Sequence, residues 1–500
     1  MTDAAQVTTT AERPQPSEKD LLAAEEAKAR ANALFGERKY ELAVEAYNEA
    51  IALNPLVPAY YTNRAFAHTK LEAFGYAIAD AEEAISLDAN FVKGYYRRGV
   101  ANMALCKYKE ARRDFRVVCK KAPSDKDAKT KLAECDKLVR KQEFEKAIEV
   151  DDVPHSALEN LDIEAITVDD SYKGPRIPEA PHTPGELQIT DEFLDQLISH
   201  LKEQKSLHRK YAFQILRCIK EYMTEQPSLI DVTIPEGGKI TVCGDVHGQF
   251  YDLLNLFDLA GQPSESHAFL FNGDFVDRGS FSIEVVLLLF AYKCRFPHHF
   301  FLTRGNHETR EMNRVYGFEG EAKAKFNETI FTLFTECFNA LPLAHVLNGK
   351  ILVVHGGLFS RDDVTLDDIR SINRFSQPGT SGLMCEMLWA DPQSQNGRSP
   401  SKRGVGLQFG PDVTKDFLDR NGLTHLIRSH EVKDEGYVVE HDGKCITVFS
   451  APNYCDQVGN KGAFIHISDS LEWEYQTFEA VSHPNVRPMQ YASQYGGFGF

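Results

Sequence analysis

Gly244-Asp-Val-His-Gly248, Gly273-Asp-Phe-Val-Asp-Arg-Gly279 and Gly305-Asn-His-Glu308 each close a short apolar run. Lys239-Ile-Thr-Val-Cys243 precedes the first, His267-Ala-Phe-Leu-Phe271 the second and Phe300-Phe-Leu-Thr303 the third. Runs of this kind, bounded by glycine and turn residues, read as buried strands. Their polar residues then sit in loops at strand ends, where a rigid sheet fixes them. Two further runs end in histidine, Ile351-Leu-Val-Val-His355 before Gly356-Gly357, and Leu426-Ile-Arg-Ser-His430. Asp245, His247, Asp274, Asn306, His355 and His430 make up a donor set for two metal ions sharing one carboxylate. Asp274, from the middle of the set, is the expected bridge. One Gly-Asp turn is common at any strand end, but three in order at about thirty-residue spacing are a specific signal.

Such donors suit manganese, iron, zinc or magnesium without choosing among them. Two ions about 3.5–4 Å apart acidify a shared water and hold both oxygens of an in-line displacement at phosphorus. A phosphoryl group also calls for cations that match its geometry, and arginine does so bidentately. Arg278, beside Asp277, is the first candidate, and Arg403 in Ser401-Lys-Arg-Gly404 the second. His307 stands one residue past Asn306, so its ring is expected beside the metals, placed to protonate a leaving alkoxide. Asp277 would hold that imidazole. A thiol mechanism is excluded: Cys106 and Arg112 have the spacing, but the glycine-free Lys107–Ala111 between them reads as helix, whose amides cannot cradle phosphate.

From about residue 190 to about 490 the chain resembles the serine/threonine phosphoprotein phosphatases, on the strings Leu302-Thr-Arg-Gly-Asn-His-Glu308, His355-Gly-Gly357 and Ser450-Ala-Pro-Asn-Tyr-Cys455. The resemblance implies an αββα sandwich of two mixed sheets flanked by helices. It implies Asp245, His247 and Asp274 on one metal, and Asp274, Asn306, His355 and His430 on the other. Arg278, Asn306, His307 and Arg403 would bind the phosphate, with Tyr454 lining the site. The implied nucleophile is a metal-bridging hydroxide, with no phosphoenzyme and with manganese as the expected metal.

Residues 24–125 repeat with a period of 34. Ala43, Ala77 and Ala111 correspond, as do Tyr40, Phe74 and Tyr108; Ala31, Ala65 and Gly99; and Pro55, Ala89 and Pro123. Tyr47 and Phe115 share a position that is Ala81 in the middle repeat. Small residues at fixed spacing let helices approach closely, and this is the tetratricopeptide period. The repeats are expected at 24–57, 58–91 and 92–125, with a covering helix from 125 to 149. Lys28, Asn32, Asn63, Lys93 and Arg97 fall on successive repeats as cations and amides suited to a peptide carboxylate. They match the clamp with which some tetratricopeptide domains grip the C-terminal tail of heat-shock protein 90.

Taken together, the halves are similar to the tetratricopeptide-bearing type-5 branch of the phosphatase family. That likeness implies autoinhibition by the repeats, relieved by chaperone or fatty acid, with Glu72 reaching toward the active site, and a monomer in cytoplasm and nucleus. The family's C-terminal segment ends as a short helix, whereas here three glycines fall in the last five residues. Glycine disfavours helix by about 1 kcal/mol per position, so no helix is expected past Tyr495 and autoinhibition should be weaker or differently built.

Composition sets the outer bounds. Five hundred residues with 42% hydrophobic content allow two or three cored domains, and a net charge of −17 disfavours nucleic acid. Ten cysteines without a CxxC pair, several of them (Cys243, Cys294, Cys337) in expected strands or helices, read as reduced core residues. The polar N-terminus lacks a signal peptide, and Val285–Ala291 is too short an apolar run to span a bilayer. Five segments are expected along the chain: a disordered 1–23, repeats over 24–150, a linker over 151–190, the phosphatase over 191–485 and a regulatory tail over 486–500. Residues 151–192 hold eleven acidic residues, two basic ones and five prolines, which reads as an extended connector hinged at 175–184. Within it Leu161–Ile166 alternates, and is expected to add a strand or to pack. Two other readings compete with a protein phosphatase: a catalytically silent co-chaperone scaffold and a small-molecule metallophosphoesterase.

Overall fold

The structure, a computed structural model, describes residues 15–148, 156–159, 161–487 and 489–492. It divides into two compact units that meet in sequence at 152/153.

The first unit is all helix: α1 (Glu18–Gly36), α2 (Tyr40–Leu53), α3 (Pro58–Lys70), α4 (Phe74–Leu87), α5 (Val92–Ala104), α6 (Tyr108–Lys121) and α7 (Lys126–Ile148). Helices pair as the 34-residue period requires, and Ala31, Ala43, Ala65, Ala77, Ala81 and Ala111 are fully buried. At Gly99 a Cβ would stand 3.1 Å from the Phe115 ring, which explains the small residue there. Arg64 pairs with buried Asp80 at 2.5 Å, and 34 residues on Arg98 pairs with buried Asp114 at 2.8 Å. The first helix corrects the expected boundary. It begins at Glu18, capped by Ser17 in a reciprocal box with Asp20, so residues 18–23 are helical. The rest of the expected disordered N-terminus, residues 1–14, lies outside the described residues.

The second unit opens with α8 (Asp191–Lys202) and α9 (Arg209–Thr224), then β1 (Leu229–Val232), β2 (Lys239–Cys243), α10 (Phe250–Ala260), β3 (His267–Phe271), α11 (Ser282–Arg295) and β4 (Phe300–Leu302). It continues through α12 (Arg310–Tyr316), α13 (Phe318–Lys325), α14 (Glu328–Ala340), β5 (Ala344–Leu347), β6 (Ile351–Val354), α15 (Leu366–Arg370) and α16 (Leu383–Trp389). Last come β7 (Asp391–Pro392), β8 (Arg398–Pro400), β9 (Leu407–Phe409), α17 (Pro411–Asn421), β10 (His425–Arg428), β11 (Tyr437–Glu440), β12 (Cys445–Val448), β13 (Gly462–Ser468) and β14 (Trp473–Phe478). Two mixed sheets run β1-β5-β6-β10-β12-β11 and β14-β13-β2-β3-β4, and a small third sheet, β7-β9-β8, was not foreseen.

Strand alternation builds the layers. In β3, Ala268 and Leu270 face the core shared with β6, β10 and β12, while Phe269 and Phe271 face the core lined by α8–α11 and α14. In β6, Ile351 and Val353 join that same central core, while Leu352 and Val354 face α17 on the outer side. Helices therefore cover both outer faces of a two-sheet sandwich. Among the described residues no helix is long and apolar enough to cross a membrane.

The linker departs from its composition. Ile163, Ile177 and Ile189 are buried in the core of α8, α9 and α11, with Leu161, Ile166, Val168 and Leu187 packed against it. Leu161–Ile166 packs without forming a strand. Glu336 accepts from the Ala157 amide at 2.8 Å, and Glu221 from the Gly185 amide at 2.9 Å. Residues 156–159 and 161–189 are thus part of the second unit, because a few spaced apolar side chains suffice to pin an otherwise polar segment. The stretch 175–184, expected as a hinge, contains buried Ile177 and carries a bridge from Thr183 to Glu186. At the other end Val486 packs on the same core, while residues 493–500, on which the expected loss of a terminal helix falls, lie outside the described residues.

Candidate active site

Five strand ends converge. Asp245 and His247 follow β2, Asp274 follows β3, Asn306 follows β4, His355 follows β6 and His430 follows β10, and all six are buried. The loops are sewn to one another by backbone: the Val246 and His247 amides donate to the Asp274 carbonyl at 3.0 and 2.9 Å. A Cβ at Gly273 would lie 2.6 Å from the Gly305 Cα, and one at Gly305 would lie 2.3 Å from Asp274 Oδ1. Both positions therefore exclude any side chain. His247, Asp274, Asp277, Arg278 and His430 all hold φ between +47° and +72°, left-handed backbone that costs roughly 1–2 kcal/mol per residue.

The imidazoles are set as ligands. His355 Nδ1 stands 2.8 Å from the Asn272 carbonyl and His247 Nδ1 3.0 Å from that of Val276. A carbonyl can only accept, so each Nδ1 carries the proton and each Nε2 presents a lone pair inward. Burial lowers both rings below the usual imidazole range, against the opposing pull of Asp245 at His355. His355 Nε2 lies 2.8 Å from Asn306 Oδ1, 3.2 Å from His430 Nδ1 and 3.4 Å from Asp274 Oδ2. Burial and the neighbouring Asp274 push Asp245 up to about 7. Acceptors and carboxylates packed this closely repel one another unless cations lie among them, so the donor set fits divalent metal. Among the described residues two groups of mutually close donors emerge, His247/Asp274/His307 and Asp274/His355/His430, and Asp274 is common to both.

His307 sits at the edge of this cluster. Its Nδ1 is 2.8 Å from Asp277 Oδ2, and its ring meets His247 edge-on at 4.7 Å. Asp277, fully buried and pushed up to about 7 by burial, also accepts from the Phe318 amide at 2.9 Å and Asn313 Nδ2 at 3.0 Å. The buried Arg278 guanidinium lies 3.9 Å from the Tyr316 ring centroid. The Tyr454 ring is 5.1 Å from His247. Arg403 occupies the half-buried loop between β8 and β9, and its part in the site rests on the resemblance.

Three supporting residues escaped the sequence reading. Glu308, fully buried and pushed up to about 8 by burial, accepts from the amides of Asp274, Phe275 and Gly305 at 2.7–2.9 Å. It ties the second metal loop to the third. Asn313 bridges Asp277 and the His307 carbonyl, and Tyr316 supports Arg278. Only Glu308 had a signal, its place inside the third motif.

In the helical unit, Lys28 and Asn32 lie on α1, Asn63 on α3, and Lys93 and Arg97 on α5. Asn63 Nδ2 donates to Asn32 Oδ1 at 3.3 Å, and Arg97 stacks 3.6 Å from the Phe66 ring of α3. These first helices of successive repeats therefore share one face. Lys28 pairs with Glu25 at 2.6 Å, and Lys93 is exposed. Glu72 stands at φ +56° in the turn between α3 and α4.

A family model described as calcineurin-like phosphoesterase matches residues 238–434, and one described as PPP5 TPR repeat region matches 132–231. A serine/threonine-protein phosphatase T of Aspergillus oryzae is 57% identical over 475 residues, covering 95% of this chain and 98% of that protein. Human serine/threonine-protein phosphatase 5 is 54% identical over 479 residues, covering 96% and 95%. A solved structure of a yeast (Saccharomyces cerevisiae) serine/threonine phosphatase, described as similar to human phosphatase PP5, is 45% identical. It covers 60% of this chain and all of that one, with a TM-score of 0.59.

Proposed function

The chain belongs to the type-5 serine/threonine protein phosphatases, a metal-dependent phosphatase joined to a tetratricopeptide region, and from that premise we propose how its residues divide the work. Asp245, His247 and Asp274 would hold one divalent ion, and Asp274, Asn306, His355 and His430 a second, with manganese the favoured occupant. When bound, two such ions acidify water and neutralise phosphoryl charge. Arg278 and Arg403 clamp the phosphoryl oxygens of a phosphoserine or phosphothreonine side chain, assisted by Asn306 and His307, while Tyr454 walls the cleft. His307 gives its Nε2 proton to the departing serine or threonine oxygen, and Asp277 keeps Nδ1 protonated and stabilises the imidazolium.

The 2.8 Å Asp277–His307 bond beside the converging donors carries this reading. A non-catalytic scaffold would have no use for it. Replacing His307 with Ala tests it on two substrates. Hydrolysis of a phosphoserine peptide should fall about 10²–10⁴-fold, whereas p-nitrophenyl phosphate, whose leaving group needs no proton, should lose much less. Equal losses on both would remove His307 as the acid. Activity on nucleotides above that on phosphoprotein would favour the small-molecule reading instead.

The repeat face with Lys28, Asn32, Asn63, Lys93 and Arg97 is proposed to bind the C-terminal carboxylates of heat-shock protein 90. Occupancy of that face, or a fatty acid, would relieve autoinhibition in which Glu72 takes part. Its support is the shared placement of the five side chains on α1, α3 and α5. The protein is proposed to act as a monomer in cytoplasm and nucleus.

A further inference from the structure

Asp277 and Arg278 are consecutive non-glycine residues in left-handed backbone, so something must hold the loop that carries the arginine. Inside, the Asp277 amide donates to Ser282 Oγ at 3.1 Å, the Arg278 amide to the Tyr316 carbonyl at 3.1 Å and the Gly279 amide to the His247 carbonyl at 2.9 Å. Outside, the fastening comes from the far end of the chain. The Met489 amide donates to the Arg278 carbonyl at 3.0 Å. Ser280 Oγ, buried, donates to the Arg487 carbonyl at 2.7 Å and accepts from the Gln490 amide at 3.2 Å. Beyond that point the segment crosses α13. The Tyr491 carbonyl lies only 2.5 Å from where a Cβ on Gly320 would stand, and the Ala492 amide 3.3 Å from one on Gly317. Tyr316, whose carbonyl and ring both engage Arg278, immediately precedes Gly317. The arginine loop, the Tyr316 turn and the C-terminal segment close a ring of backbone contacts around the clamp.

We propose that the segment through Val486, Arg487 and Met489–Ala492 is a strap that positions Arg278 for phosphate, with the Ser280 hydroxyl as its fastener. No side chain of the strap needs to touch substrate. This rests on the reading of Arg278 as a phosphate clamp. The strap is distinct from residues 493–500, whose removal should leave the clamp unchanged.

The test uses chains ending at Ala492 and at Pro484, the full-length Gly320→Ala variant, and full-length Arg278→Ala. Each is assayed for inhibition by inorganic phosphate, for KM and kcat on a phosphoserine peptide, and for thermal midpoint. Gly320→Ala alters no catalytic residue and suits a helix, yet its methyl displaces the Tyr491 carbonyl. It decides the matter if the chain ending at Pro484 does not fold. Phosphate inhibition should weaken about tenfold in the Pro484 chain and in Gly320→Ala, the loss of about one charge-assisted bond. KM should rise with it, and the Ala492 chain should stay within about twofold of the full chain. A folded Gly320→Ala with unchanged phosphate inhibition overturns the strap, as does a fall in kcat alone. If Arg278→Ala itself leaves phosphate inhibition unchanged, the clamp reading fails, and the strap with it.

Discussion

Each metal-ligand candidate could be read from the sequence because it closely follows a short apolar run that reads as a buried strand. Its support could not: Glu308 works through three backbone amides, and Asn313 and Tyr316 reach Asp277 and Arg278 across 36 and 38 residues of chain. Backbone donors have no residue signature. The same blindness covers a polar relay on the sheet, where Thr241 Oγ1 stands 2.7 Å from His267 Nε2 and 2.8 Å from His466 Nδ1. Burial, with the Lys239 ammonium, lowers the two histidines to about 3 and about 4, while Glu474 opposes the shift at His466. An unfolded histidine titrates near about 6.5. Between that value and the folded ones the unfolded chain binds protons that the folded chain refuses. The contribution is therefore complete above about pH 6.5 and lost as pH falls toward 4. Urea midpoints measured from pH 7 to 4.5 should fall less steeply in His466→Gln than in the parent. An identical slope would show that the relay is not buried in solution.

At the scale of elements, the strands were legible as short apolar runs closed by glycine and turn residues and the repeat helices by their period of 34, while most of the linker was not. Its acidic and proline-rich average hid Ile177, Leu187 and Ile189, which together with the alternating Leu161–Ile166 carry its packing on α8 and α9. Likewise the helix from Glu18 was masked by polar neighbours, although Ser17 and Asp20 form its cap. A packed linker changes where the catalytic unit can be cut. A chain starting at 153 keeps Ile163 and Ile177, whose burial contributes roughly 1.5–3 kcal/mol each, while one starting at 181 exposes their sites. The longer fragment should melt several degrees higher and keep its activity longer at 37 °C. Matching melting curves would return residues 156–180 to the status of a loose connector.

For the whole molecule, the 34-residue period that reveals the repeats also explains why their binding face has to be argued from few residues. Positions fixed by packing recur, such as Arg64 and Arg98 on Asp80 and Asp114, while those free to bind a ligand need not. Lys93 is exposed, so Lys93→Ala removes a charge and little else. Arg97 lies against Phe66, so Arg97→Ala also removes packing. Both should weaken binding of an acidic peptide with a free C-terminal carboxylate, by about tenfold for one charge-assisted bond, and increasingly so at low salt. Only Arg97→Ala should also lower the melting temperature of the repeats. If the repeats restrain the phosphatase, the same peptide should raise phosphoserine hydrolysis by the full chain while leaving the chain from 153 unchanged and already fast. A peptide that binds without altering either rate would leave the repeats as a targeting arm and end the autoinhibition reading, because a ligand shifts an equilibrium only by its preference for one state over the other.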